Sequence, residues 1–170
     1  PPRAGACRAP GRASGGRPRR EALDARRIGM LALLVRHAVA GDRRKWSGDD
    51  RLRPLDRRGK RQALALPEAL SGFPVTRILT SPAARCIGTV GPLAAALGIE
   101  VEETPALAEG AERLDVISLA AAAGAGTVIC THGDVCHAVV GRKRMPKGSI
   151  WVIDIDGHDV TLVRHIAAAK

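Results

Sequence analysis

An open α/β fold is predicted: three layers (αβα), with a mostly parallel central sheet between helices and an antiparallel hairpin at the C-terminal end. Three observations predict it. Apolar, β-prone runs at 31–35, 75–80 and 127–131 are continuous, the pattern of strands buried on both faces of a parallel sheet. Helical stretches separate them, most clearly at 57–70 and 83–97, the latter placing Ile87, Val90, Ala94 and Leu97 on one face. Finally, Asp156-Gly157 between the runs 149–155 and 159–166 is a two-residue hairpin signal.

The remaining elements follow in chain order. Pro67 and Pro92 interrupt the two main helical patterns, and each is expected to kink its helix or end it early. A weaker helix is expected over 114–123 and another over 134–140, closed by Gly141. Residues 1–29 are rich in Pro, Gly and Arg and have no hydrophobic periodicity, so they are expected to be a disordered basic tail, with one folded domain over 30–170. Met30 stands directly before the first strand, and translation is expected to begin there.

The 170 residues are enough for about one domain. Only Trp46, Phe73 and Trp151 are aromatic, which disfavours single-strand nucleic-acid binding by base stacking. The net charge is +10, but eight Arg against Glu21 and Asp24 put +6 of it in the first 29 residues. The folding part is mildly basic and suits a small anionic ligand; no nucleic-acid partner is expected. Four cysteines, Cys7, Cys86, Cys130 and Cys136, form no CxxC pair and fit a reducing, cytoplasmic setting. No apolar run approaches the ~18 residues of a membrane span, so no membrane association is expected.

In open α/β sheets, ligands bind beyond the carboxyl ends of the parallel strands. Arg36-His37 follows the first strand, Ser81-Pro82-Ala83-Ala84-Arg85 the second, and His132-Gly133 the third. Ser81 is placed to cap the next helix, with Pro82 at its first position and Arg85 in its first turn. Two guanidinium forks match phosphate oxygens, and helix N-terminal amides add donors. One imidazole can attack phosphorus in line while the other stabilises the developing charge, which is phosphoryl transfer without a metal or cofactor. Nearby guanidinium charge keeps the attacking imidazole neutral.

These residues resemble the histidine phosphatase superfamily (phosphoglycerate mutase-like), and most closely its SixA-like branch. The resemblance is carried by Leu34-Val35-Arg36-His37-Ala38, Arg53-Pro54-Leu55-Asp56-Arg57-Arg58-Gly59, Ser81-Pro82-x-x-Arg85-Cys86-x-x-Thr89 and Thr131-His132-Gly133, and covers most of 31–166. A finer similarity, through Trp46-Ser47-Gly48-Asp49-Asp50 and Lys147-Gly148-Ser149-x-Trp151-Val152, is to the C-terminal phosphatase-like domain of mycobacterial MutT-type Nudix hydrolases. The family resemblance implies His37 as nucleophile, with Arg36, Arg85 and His132 in the phosphate pocket. It further implies Glu109 as proton donor to the leaving group, Arg43 as a phosphate contact, and Ser47 and Gly48 in a substrate-contacting loop. The implied substrates are a phosphohistidine protein or a small phosphate such as a nucleotide, with a Nudix-domain partner in the second case. Ala38 stands where the family usually has Gly, and the segment after His137 is short.

Blander readings stand beside these. Arg85 in a helix's first turn opposes the dipole, which either an anionic ligand or an acidic partner would relieve. His132 could be a satisfied core histidine, and Glu109 a solvated loop carboxylate. Cys130, His132, Cys136 and His137 lack paired zinc-site spacing, so no metal is expected. The rival from another class is a phospholigand-binding module without turnover.

Overall fold

The computed structural model describes residues 30–170; the expected tail, Cys7 and the question of a start at Met30 lie outside the described residues. Six strands form one sheet: β1 (Met30–Arg36), β2 (Arg77–Thr80), β3 (Val101–Glu103), β4 (Thr127–Thr131), β5 (Ile150–Asp156) and β6 (Asp159–Ile166), in spatial order β3-β2-β4-β1-β5-β6. The pairs β3–β2, β2–β4 and β4–β1 are parallel, whereas β5 runs antiparallel to both β1 and β6. The predicted architecture is therefore observed: a mixed α/β sheet, parallel at its centre and closed by a C-terminal antiparallel pair.

Alternation along β1 divides the core. Ala32 and Leu34 pack with Val116, Ile117, Val135 and Val139, whereas Leu33 and Val35 pack with Leu66, Cys86, Val90 and Leu93 on the other face. On the first face lie α4 (Arg113–Ala123) and α5 (Gly133–Val140); on the second lie α2 (Leu66–Ala69) and α3 (Ala84–Leu97), with α1 (Arg57–Leu64) packed against α3. Full burial of β4 on both sides explains its unbroken apolar run.

The early end expected near Pro67 is observed, and three other expectations are corrected. The helix expected over 57–70 is two helices, because Ala65 ends α1 and begins α2, with Pro67 at the second position of α2, where its missing N–H costs nothing. Pro92 neither ends nor divides α3. Ser81 is not that helix's cap: Ala83 occupies the N-cap position, which also displaces Pro82 from the first helical position. In the hairpin, Asp156 pairs with Asp159, so the loop residues are Gly157 and His158 rather than Asp156-Gly157, and Gly157 supplies the positive φ of 61°.

Candidate active site

β1 and β4 are neighbours, with Arg36 in register with Thr131, so His37 and His132 emerge side by side. The backbone at His37 is clamped from both sides. Its N–H donates to Thr131 O at 3.0 Å, and Gly148 N–H donates to the carbonyls of Arg36 and His37 at 3.0 and 3.1 Å. Ala38 N–H donates to Thr89 Oγ1 at 2.9 Å, and the Thr89 hydroxyl donates to Arg85 O at 2.6 Å. Val39 N–H donates to Gln62 Oε1, and its carbonyl accepts Asp56 N–H. Asp56 in turn caps α1 by accepting Gly59 N–H at 2.7 Å. A side chain at Gly59 would collide with the Val39 carbonyl, so glycine is required by that close approach. The motif residues Asp56, Gly59 and Thr89 thus hold the segment that carries His37.

His37 is buried, and its Nδ1 lies 2.8 Å from Ala38 O. A carbonyl only accepts, so Nδ1 carries hydrogen and Nε2 keeps its lone pair. Burial pushes the His37 imidazolium down to about 3, helped by the charges of Arg85 and Lys147 and opposed by the bond to Ala38. The ring is neutral at physiological pH.

The His132 ring lies 5.5 Å from that of His37, centroid to centroid. Its Nδ1 is 3.2 Å from Arg85 Nη2, a group that only donates, so Nδ1 accepts and Nε2–H donates to Ser81 Oγ at 2.8 Å. Arg85 is 2% exposed and heavily engaged: Nη1 donates to Asp50 O at 2.7 Å and lies 3.3 Å from Asp50 Oδ2, while Nη2 is 3.0 Å from Glu109 Oε1. Arg85 therefore has the acidic partners that the blander reading required. Arg43 joins the same network, with Nη2 at 3.1 Å from both Asp50 Oδ2 and Glu109 Oε2. The hydrogen bond from Arg53, followed by the charges of Arg53, Arg85 and Arg43, holds the Asp50 carboxyl below the usual carboxylate range. Thr131 Oγ1 donates to Leu107 O at 2.7 Å and fixes the turn that carries Glu109 beside His132.

A cleft of about 690 Å³ opens on this edge, lined by Arg36, His37, Arg43, Arg53, Glu109 and Lys147 among others. An adjoining pocket of about 220 Å³ contains Arg85 and His132 and shares Arg43 and Glu109 with the cleft. The Glu109 carboxylate therefore stands between the two histidines' cavities. Arg36 donates to Met145 O at 2.7 Å, and its guanidinium lies on Gly133, where a Cβ would come within 2.7 Å of Cζ. Ser47 and Gly48 are exposed, and neither is among the residues lining these cavities.

Sequence reasoning did not select Arg53, Lys147 or Asp50 as site residues. Arg53 is buried against Asp50 Oδ1 at 2.8 Å and Gly41 O at 2.7 Å. Burial and the neighbouring charges of Arg36 and Arg53 lower the Lys147 ammonium. The signals were present, since Arg53 opens one quoted motif and Lys147 another. Cys130 and Cys136 pack on opposite faces of the sheet, as core residues.

With this geometry, residues 32–112 match the Histidine phosphatase superfamily (branch 1). The chain belongs to that superfamily. It is 36% identical over 141 residues to the 8-oxo-(d)GTP phosphatase of Mycolicibacterium smegmatis, an alignment covering 72% of this chain. The chain spans 44% of that relative's length. Its fold is similar to the protein histidine phosphatase SixA complexed with tungstate (TM-score 0.69, 19% identity, 81% of this chain and 97% of that one). It is also similar to the α-ribazole phosphatase of Shigella flexneri (TM-score 0.62, 18% identity, 79% and 95%). The fold of residues 30–170 is thus similar to that of SixA. Among the described residues, no helix is long and apolar enough to cross a membrane.

Proposed function

We propose that this domain hydrolyses phosphate from its substrate through a phosphohistidine formed on His37, with no metal or cofactor. The observation that carries the reading is the His37 ring itself: Nδ1–H is committed to Ala38 O, the imidazole is neutral, and it lines a cleft with Arg36 and Lys147. Nε2 would attack phosphorus in line, forming the N–P bond as the bond to the leaving group breaks. Arg36, Arg85, Arg43 and His132 would hold the equatorial oxygens, and Glu109 would give a proton to an alkoxide leaving group. Arg36 Nε and Arg85 Nε are buried donors without a protein acceptor, a deficit that a bound oxyanion would relieve. Water then attacks the phosphohistidine, releasing inorganic phosphate and restoring the lone pair on Nε2.

The substrate is a phosphohistidine protein or a small phosphate such as a nucleotide, acted on in the cytoplasm. The mycobacterial relative, an 8-oxo-(d)GTP phosphatase, supports the nucleotide form, for which the sequence resemblance implies a Nudix-domain partner. For Ser47 and Gly48 the reading keeps a substrate-side position, with direct contact requiring movement of their loop. Rapid quench with radiolabelled p-nitrophenyl phosphate tests the mechanism. An acid-labile, base-stable label is expected on the wild-type chain and absent from His37→Ala. Binding of phosphate with neither label nor release would instead favour the non-catalytic phospholigand module.

A further inference from the structure

We infer that a second pocket beside the catalytic cleft, walled by Trp46, is a subsite for the purine base of a nucleotide whose phosphate lies at His37. This rests on the nucleotide form of the reading above.

Trp46 is one of three aromatic residues in the chain, and it is 37% exposed. Large aromatic side chains left at a surface beside a cleft are more useful for binding than for folding. This indole is also pinned. Its Nε1–H donates to Asp49 O at 2.9 Å, and Gly48 lies beside the ring, where an added Cβ would make ordinary contact at 3.4 Å from Nε1 and 3.5 Å from Cε2. One side of the ring is therefore occupied by its own loop, its one polar atom is satisfied, and little rotamer freedom is left to lose on binding. Gly48 is thus a support for a binding residue rather than a contact itself.

The pocket measures about 280 Å³ and is walled by Trp46, Pro54 and Leu55, with Asp42 and Arg53 at its border. Gly41, Asp42 and Arg53 line both this pocket and the catalytic cleft, so the two adjoin. A ligand anchored by phosphate among the arginines would extend past Arg53 to the indole. The apolar wall suits the face of a planar ring, which stacks on an aromatic surface whatever its substituents. Asp42 is placed to accept from ring N–H groups, a match for the donor edge of guanine.

Steady-state hydrolysis by the full chain, comparing guanosine 5′-monophosphate with ribose 5-phosphate, tests the subsite. The wild type is expected to favour the nucleotide by about tenfold or more in kcat/KM, chiefly through KM. Trp46→Ala should collapse that ratio, whereas Trp46→Phe, which keeps a ring, should restore most of it. In a Trp151→Phe background, guanosine with tungstate should quench the remaining indole fluorescence. The subsite is overturned if the wild type turns over both compounds equally, or if Trp46→Ala leaves the ratio intact; either result leaves the phosphatase reading standing. No turnover of either compound, with no label on His37, would overturn both.

Discussion

His37 and His132 leave adjacent strands one step after a registered pair, yet the protein holds the two imidazoles by different means. His37 is fixed by main chain: its own backbone is clamped by Thr131 and Gly148, and its ring by the carbonyl of Ala38. His132 is fixed by side chains, those of Ser81 and Arg85, contributed by two separate segments, with Glu109 bound to Arg85 beside it. A main-chain acceptor cannot be titrated or swung away, so the lone pair of His37 is a permanent feature of the fold. The hydrogen bonds of His132 depend on a hydroxyl and a guanidinium, and the guanidinium is itself bound to Glu109. The first arrangement suits the nucleophile proposed at His37, and the second suits the charge-stabilising group proposed at His132.

The sharpest way to break the comparison is to remove each ring in turn. His37→Ala is expected to lower kcat by about 10⁴-fold or more and abolish the covalent label, whereas His132→Ala should cost about 10²–10³-fold and still allow labelling. Equal losses, with label absent from both, would mean that the two rings act as one unit. Rapid-quench burst amplitudes with p-nitrophenyl phosphate measure the difference.

Glu109 separates the chemistry of the two candidate substrate classes. Glu109→Gln should slow hydrolysis of an alkyl phosphate by about 10²-fold, because an alkoxide needs a proton, and should leave phosphohistidine hydrolysis nearly unaffected. Slowing both equally would instead assign Glu109 to holding Arg85 and Arg43 in place.

The smallest expected effect concerns stability. Because the His37 imidazolium is pushed from 6.5 down to about 3, the unfolded chain takes up this proton as pH falls through 6.5 while the folded chain does not. The stability tied to the neutral ring is therefore complete above about pH 6.5 and is lost progressively towards pH 3. Between pH 7 and 5 the loss is about 2 kcal/mol. Urea midpoints of the wild type and His37→Asn at the two pH values should differ in slope accordingly; parallel slopes would show that the folded ring takes up protons like a solvated one.

Much of this was legible before any coordinates. The continuous runs gave β1, β2 and β4 because strands buried on both faces carry no polar alternation, and the motifs following those strands identified His37, His132, Arg36 and Arg85. Local pattern failed where the deciding interaction was distant. The three-residue β3 is half-exposed and too short for a periodicity. The role of Ser81 was misread as a local cap because its partner, His132, lies 51 residues away. Lys147 reaches the cleft only because Gly148 bonds back to the carbonyls of Arg36 and His37, a contact no spacing rule reveals.

The hydroxyl of Thr89 joins the amide of Ala38 to the carbonyl of Arg85 through a single oxygen. Helix α3 thereby serves as a common ruler for two groups from different parts of the fold: the segment of His37 beyond β1 and Arg85 in the helix's own first turn are spaced by one helical turn as well as by the sheet. Because the segment of Ala38 is also held by Thr131 and Gly148, a rotation of this helix about its axis would strain that bridge, so packing along α3 far from the cleft bears on the spacing inside it.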